Sequence, residues 1–180
     1  MKWMIASDIH GSAYWCEKLV KAFAAEQVDR LLLLGDILYH GPRNALPDGY
    51  APMETAAMLN GLKSVTLSVR GNCEAEVDQM VLDFPALADY ALLDLGSSLV
   101  FATHGHQYNA KNPPPLHPGD ILLHGHTHVP VCEVHEGYLL MNPGSVSIPK
   151  NGTPHSYMTV ENGLFLWKDL DGAEFMRHQL

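Results

Sequence analysis

Five short apolar runs of this 180-residue chain each end in a small polar motif, and this pattern constrains the fold more than any other feature. The runs have the length of β-strands. The motifs that follow them are Asp8-Ile9-His10, Gly35-Asp36, Gly71-Asn72-Cys73-Glu74, His104 and Gly125-His126-Thr127-His128. Ordinary turns would use Gly, Ser and Asn there. Because ligands bind beyond the carboxyl ends of strands in an open α/β sheet, we expect all five motifs to meet at one edge.

The first half of the chain alternates strand and helix patterns. Apolar runs at 2–7, 30–34 and 65–69 predict three strands, and the helical patterns between them begin after Ser12 and at Pro52. This succession predicts a mostly parallel sheet with right-handed crossovers.

The second half is rich in strands and hairpins. Strands are predicted at 90–95, 98–103, 121–124, 129–134, 138–141, 156–160 and 164–169. Turn signals at Glu136-Gly137 and Glu161-Asn162-Gly163 predict hairpins. A parallel half followed by a hairpin-rich half predicts an α/β fold of two facing sheets with helices outside. Without an internal repeat or linker, we expect residues 1–180 to form a single domain.

Composition narrows the classes of partner and compartment. Lys and Arg total 11 against 20 Asp and Glu, a net charge of -9, which argues against nucleic acid or an anionic membrane surface as partner. No apolar run approaches the roughly 20 residues of a membrane span, and Asp8 and His10 interrupt the first apolar stretch, so no secretory signal is predicted. Three scattered cysteines imply no disulfide framework, which favours a cytoplasmic location.

The motifs offer the donors of a metal centre. They supply two carboxylates, one amide oxygen and four imidazoles, from Asp8, His10, Asp36, Asn72, His104, His126 and His128. Residues two apart in an extended segment point the same way, so the Asp8/His10 and His126/His128 pairs can each aim two ligands at one cluster. The set is sufficient for two metal ions that share a carboxylate. Mixed Asp, Asn and His donors favour manganese, iron, zinc, cobalt or nickel.

In this order, the motifs resemble those of the calcineurin-like metallophosphoesterase superfamily, in particular its small phosphodiesterases of the YfcE type. The resemblance runs from Met1 to about residue 160 and includes the loop His40-Gly41-Pro42-Arg43-Asn44-Ala45-Leu46-Pro47. It implies a four-layer αββα sandwich of two mixed sheets flanked by helices. It also implies one metal held by Asp8, His10, Asp36 and His128, and a second held by Asp36, Asn72, His104 and His126, with Asp36 bridging.

The function that this resemblance implies is metal-dependent hydrolysis of a small-molecule phosphodiester. A hydroxide bridging two divalent ions would attack phosphorus in line, with manganese the favoured ion and zinc, iron, cobalt or nickel as alternatives. The residues assigned to catalysis are Asn72, Cys73 and His104. The alternatives are a phosphomonoesterase with the same centre and a non-catalytic binding scaffold. Oligomeric state is open, and apolar residues of the second half would allow subunits to pair.

Cys73 departs from the family pattern, which has His at this position in most members. The thiol could donate a proton or hydrogen bond, or it could only fill space, and both interpretations stay open.

A charge count bears on the substrate. Two divalent ions, two Asp ligands and a hydroxide leave one net positive charge, which suits a diester monoanion, whereas a monoester dianion would want further cations. Arg43 and Arg70 are the only nearby candidates in sequence. His40, Asn44 and His106 are further candidates for substrate contact, although ordinary loop chemistry also accounts for them.

Overall fold

The computed structural model describes residues 1–180, which form three helices and eleven strands. The helices are α1 (Ala13–Ala25), α2 (Pro52–Asn60) and α3 (Glu76–Gln79). The strands are β1 (Trp3–Ala6), β2 (Arg30–Leu33), β3 (Thr66–Ser68), β4 (Tyr90–Asp94), β5 (Leu99–Thr103), β6 (Asp120–Leu123), β7 (Pro130–His135), β8 (Tyr138–Pro143), β9 (Ser156–Glu161), β10 (Leu164–Asp169) and β11 (Glu174–Gln179). None of the helices combines the length and apolarity required to cross a membrane.

The first sheet has six strands in the order β11-β10-β9-β1-β2-β3. Strand β1 is parallel to β2, and β2 is parallel to β3, as the alternating first half predicts. The Ser12 side chain caps α1 by accepting a hydrogen bond from the Trp15 amide, and Pro52 opens α2. The parallel β-α-β-α-β unit is therefore confirmed.

The second sheet has five strands in the order β4-β5-β6-β8-β7. Strands β5, β6 and β8 are parallel, while β4 and β7 pair antiparallel at the two edges. Both predicted hairpins are present: β7 turns into β8 at residues 136–137, and β9 turns into β10 at residues 162–163.

The two sheets pack face to face around a shared apolar core. Ile5 and Leu32 of the first sheet meet Val100, Ile121 and Met141 of the second. Burial of this apolar surface stabilises the fold by about 25 cal/mol per Å² and keeps the two sheets packed together. The predicted two-sheet α/β architecture is confirmed.

The outer faces of the sandwich are covered differently. Leu19 of α1 and Leu59 of α2 pack on the first sheet. On the second sheet, Phe101 and its neighbours are covered by the loop residues Tyr108 and Leu116. The well-formed helices therefore lie on one side of the molecule.

The sequence does not predict two of the observed elements, α3 and β11. Helix α3 has only four residues, and β11 is an edge strand most of whose residues are exposed. An edge strand that buries little carries no clear alternation of apolar and polar residues, so its sequence lacks a strand signal.

Glu26 joins the end of α1 to the first sheet. Its carboxylate accepts hydrogen bonds from Lys2 and Lys168 and from the Tyr157 hydroxyl of β9. Burial raises the pKa of the Glu26 carboxyl, but the hydrogen bonds from Lys168, Lys2 and Tyr157 outweigh it and lower the pKa overall. The ionised carboxylate therefore stabilises the folded state.

We expect Glu26→Gln to lower the free energy of unfolding by about 1–3 kcal/mol at neutral pH, since charge-assisted hydrogen bonds are lost. Because the folded pKa of Glu26 is depressed, its contribution is present above the unfolded value of about 4.3 and disappears as pH falls through the folded value. Urea unfolding of the wild type and of Glu26→Gln at pH values between about 3 and 7 measures how this contribution depends on pH.

The matched control is Glu17→Gln, which removes an exposed pair with Lys21 on the same helix and should change stability by less than about 0.5 kcal/mol. Equal losses in the two variants, or a Glu26→Gln loss that does not shrink in acid, would contradict the assignment.

Candidate metal centre

The loops after β1, β2, β3, β5 and β6 bring all seven expected ligand residues together. Donor atoms of Asp8, His10 and His128 lie within 4.8 Å of one another, and so do those of Asp36, His104 and His126. The Asn72 Oδ1 atom lies 3.1 Å from His104 Nε2 and joins the second cluster. The structure therefore places the seven predicted residues close together at one edge of the sheets.

Asp36 lies between the two clusters. Its Oδ2 atom is 3.4 Å from His104 Nε2 and 3.7 Å from His10 Nε2. The other oxygen, Oδ1, accepts a hydrogen bond of 2.9 Å from the Cys73 amide, which fixes the orientation of the carboxylate. One carboxylate oxygen therefore faces histidines of both clusters.

Backbone carbonyls orient three of the imidazoles. The Nδ1 atoms bond, at 2.6–2.8 Å, to carbonyl oxygens in the pairs His10–Tyr39, His104–Leu34 and His128–Ile148. A carbonyl oxygen only accepts, so each Nδ1 carries the proton. In the neutral imidazole, which is the form that binds metal, Nε2 then presents a lone pair to the centre.

The lone pairs and carboxylate oxygens converge without enough donors between them. The Nε2 atoms of His10 and His128 are 3.3 Å apart, and the His128 Nε2 atom is 3.2 Å from Asp8 Oδ1. Asp8 Oδ1 is buried and accepts no hydrogen bond. Buried acceptors that face each other are costly unless a cation or a proton lies between them. The donor set therefore fits divalent metal ions.

The carboxylates perturb the histidines strongly. Burial lowers the pKa of His104, but hydrogen bonding to Asp36 and the charges of Asp8 and Asp36 outweigh it and raise the pKa to about 9. Burial and the neighbouring His104 lower the pKa of His126 to about 4. The two carboxylates therefore dominate the electrostatics at His104, whereas burial and the charge of His104 dominate at His126.

Five of the expected ligand residues adopt a left-handed backbone conformation that non-glycine residues seldom adopt. The φ angles are 58° for Asp8, 50° for His10, 53° for Asp36, 64° for His126 and 62° for His128. Each such residue costs on the order of 1 kcal/mol. Strain concentrated in the ligand positions marks this edge of the sheets as a functional site.

Glu74 is a buried bracket that the sequence analysis did not identify as part of the site. Its carboxylate accepts hydrogen bonds from the backbone amides of Asp36, Ile37 and Gly71. Burial and the charge of Asp36 raise its pKa, while the three amides oppose that shift. Gly71 is required here, since a Cβ would lie 2.2 Å from Asp36 Oδ1. The loops after β2 and β3 are thereby joined.

A second bracket holds the loops after β1 and β6. The Asn142 side-chain amide donates to the Gly125 carbonyl and the Thr127 hydroxyl. The Ser145 hydroxyl donates to the Asp8 carbonyl at 2.9 Å. Residues 142–145 therefore position loops from both sheets that carry expected ligands.

A cavity of about 510 Å³ opens over the centre. Asp36, Asn72, Cys73, His126 and His128 line it together with Gly41, Pro42, Arg43, Asn44, Thr127 and Lys150. Of the candidates for substrate contact, Arg43 and Asn44 therefore lie on the cavity. His40, His106 and Arg70 are not among its lining residues, and Arg70 donates to the Glu74 carbonyl. Sequence spacing gave no signal for Lys150, because it is far along the chain from the motifs.

The family assignment follows from comparison with known proteins. Residues 1–163 match the model of the calcineurin-like phosphoesterase superfamily domain. The chain belongs to this superfamily.

Individual relatives agree with this assignment. This chain is 49% identical over 162 residues to phosphodiesterase YfcE of Escherichia coli K12, and the alignment covers 90% of this chain and 88% of that protein. The solved structure of E. coli YfcE, a phosphoesterase, matches with a TM-score of 0.95 and 45% identity, covering 99% of this chain and 98% of that one. Vacuolar Protein Sorting 29 of Cryptosporidium parvum shares the fold alone, at 17% identity, a TM-score of 0.63 and coverage of 99% and 98%.

Cys73 of the phosphoesterase is half-buried at the cavity wall. Burial, followed by the charge of Asp36, raises the pKa of its thiol. The Asn72 side-chain amide donates to the Cys73 sulfur at 3.2 Å. Its Sγ atom also lies within 4.8 Å of donor atoms of His10 and Asp36, so the thiol borders the expected ligands.

We expect Glu74→Gln to weaken manganese binding by about 10–100-fold, the usual effect of removing a group that orients ligands. Glutamine offers one oxygen to three amide donors and turns its own NH₂ toward one of them, so the loops carrying Asp36 and Asn72 lose their alignment. Calorimetric titration with manganese measures the affinity, and circular dichroism checks the fold.

The control is Glu76→Gln, an exposed residue two positions along the chain, which should leave manganese affinity within about twofold. Wild-type affinity in folded Glu74→Gln would show that the bracket does not position the ligands.

Proposed function

We propose that this protein is a metal-dependent phosphodiesterase acting on a small molecule. The proposal rests on seven side chains that can bind metal and that lie close together. Among them are buried hydrogen-bond acceptors that have no hydrogen-bond donor. The 49% identity to a protein named as a phosphodiesterase supports the reaction type.

In the proposed centre, Asp8, His10, Asp36 and His128 hold one divalent ion, and Asp36, Asn72, His104 and His126 hold the other. When bound, the two ions, with manganese favoured, would supply a bridging hydroxide to attack phosphorus and would stabilise the charge that develops on the phosphate oxygens. The chain's own contribution is orientation. Carbonyl-anchored imidazoles and the amide-anchored Asp36 keep the donors in place before the ions bind.

The cavity and the charge of the chain define the class of substrate. A volume of about 510 Å³ falls in the range of small-molecule sites, about 300–1,000 Å³. The net charge of -9 opposes binding to long nucleic acids. All three cysteines are free, which fits the cytoplasmic location that we propose.

We expect protein stripped with chelator to regain hydrolysis of bis(4-nitrophenyl) phosphate when manganese is added. Asp36→Asn should lower this activity and the manganese affinity by at least about 100-fold, because it removes the shared carboxylate. Nitrophenol release and metal analysis measure the two effects.

The control is Asp171→Asn, whose side chain is 83% exposed. It should behave as wild type. The proposal fails if manganese adds nothing to the activity of the stripped protein, or if Asp36→Asn binds two ions and turns over normally.

We expect Cys73→His to raise turnover of esters with poor leaving groups by about 10–100-fold, since a neutral thiol is a weaker proton donor than an imidazolium. Metal content should stay within about twofold, because Cys73 is outside the proposed ligand set. Rates on aryl and alkyl esters, with Cys73→Ser as the matched variant, measure this. Equal rates in all three proteins on every substrate would favour the space-filling interpretation.

A phosphomonoesterase is the second candidate, and the observation that favours it is the presence of Arg43 and Lys150 on the cavity. Balancing the charge of a dianionic monoester requires cations in addition to the metal ions. Comparing 4-nitrophenyl phosphate with the aryl diester at equal metal loading decides between them. A purely structural scaffold would not need seven converging ligands, and the shared fold with Vacuolar Protein Sorting 29 carries no functional argument.

A further inference from the structure

Most cationic side chains of this protein have a partner within the fold, and the exceptions are informative. Of the 11 Lys and Arg residues, Lys2, Lys18, Lys21, Lys63, Lys168 and Arg177 form ion pairs, while Arg30 and Arg70 donate to backbone carbonyls. The side chains of Arg43, Lys111 and Lys150 have no such partner. Two of these three, Arg43 and Lys150, line the cavity over the metal centre.

The segments that carry both cations are tied to ligand residues. The Lys150 amide donates to the His128 carbonyl, and its own carbonyl accepts from the Thr153 amide and hydroxyl. The loop carrying Arg43 begins beside Tyr39, whose carbonyl accepts from His10 Nδ1. The backbone that presents each cation is therefore positioned by the residues proposed to bind metal.

Burial separates the cations from the floor of the cavity. Asp36 and His128, which line the cavity, are at most 3% exposed, whereas Arg43 and Lys150 are exposed. A phosphoryl group held at the floor leaves the cations at the mouth facing the rest of the substrate. In a chain with a net charge of -9, two unpaired cations at one opening form a local site for anions.

We propose that the substrate is a phosphodiester that carries a further anionic group, a carboxylate or phosphate, on one of its alcohol parts, and that Arg43 and Lys150 bind this group. The proposal rests on the proposed function. With two ions bound, the centre already balances the single charge of a simple diester, so the two cations call for added negative charge. Arg43 offers a planar fork for two oxygens, and Lys150 offers a point charge.

The test compares bis(3-carboxy-4-nitrophenyl) phosphate with bis(4-nitrophenyl) phosphate. Both release coloured phenols of similar acidity, and symmetry places a carboxylate on either alcohol. We expect kcat/KM of the wild type to be about 5–10-fold higher for the carboxylated diester at low salt, and this ratio to shrink as salt rises. The ratio should fall to about 1 in the double variant Arg43→Gln/Lys150→Gln.

The matched control is Lys111→Gln, the unpaired cation that does not line the cavity, and it should keep the wild-type ratio. An unchanged ratio in the double variant, or no preference in the wild type, overturns the inference. It is also overturned if the double variant loses as much kcat/KM on 4-nitrophenyl phosphate as on the carboxylated diester, since the cations would then serve the reacting phosphoryl group.

A binding measurement separates this inference from the proposed function. Calorimetry compares 3-carboxyphenyl phenylphosphonate with phenyl phenylphosphonate, and neither needs to be hydrolysed. Tighter binding of the carboxylated compound by the wild type, lost in the double variant, supports the anion site even if no diester is turned over. Equal binding of the two compounds by the wild type overturns it.

Discussion

The structure depends on a conflict between buried hydrogen-bond acceptors. The Nδ1 protons of His10 and His128 are committed to backbone carbonyls, so two Nε2 lone pairs face each other at 3.3 Å beside the carboxylate of Asp8. While both imidazoles are neutral, no rearrangement of hydrogen bonds among these groups satisfies all of them. A cation resolves the conflict, and the anchored imidazoles cannot easily turn away from one another. The stability of the rest of the fold offsets the free-energy cost of these unsatisfied acceptors.

The strained ligand backbone is held by brackets outside the ligand set. Glu74 joins the loops after β2 and β3, and Asn142 with Ser145 joins the loops after β1 and β6. The apolar core holds the two sheets together, and the hydrogen bonds of these residues then fix the polar groups of the loops relative to the sheets. Positive φ angles at His10 and His128 are tolerated because each residue is held at both its ring and its backbone.

Much of the architecture could be predicted from the sequence, because strand order in a parallel βαβ unit follows from chain order. The five motifs reach one edge for the same reason, since each follows a strand. Glu74 lies in a recognised motif, but nothing local shows that its carboxylate binds three amides. Lys150 was not predicted because its proximity to His128 depends on the return of the chain after β8. Edge strand β11 buries too little to leave a pattern.

The ligands come from both halves of the sandwich. Asp8, His10, Asp36 and Asn72 follow strands of the first sheet, whereas His104, His126 and His128 follow strands of the second. In the proposed assignment each ion therefore takes ligands from both sheets and acts as a clasp across the seam, much as a disulfide cross-links distant segments. In that assignment, separating the layers would release the ions, so bound metal would stabilise the folded state against unfolding and against proteolysis of the unfolded chain.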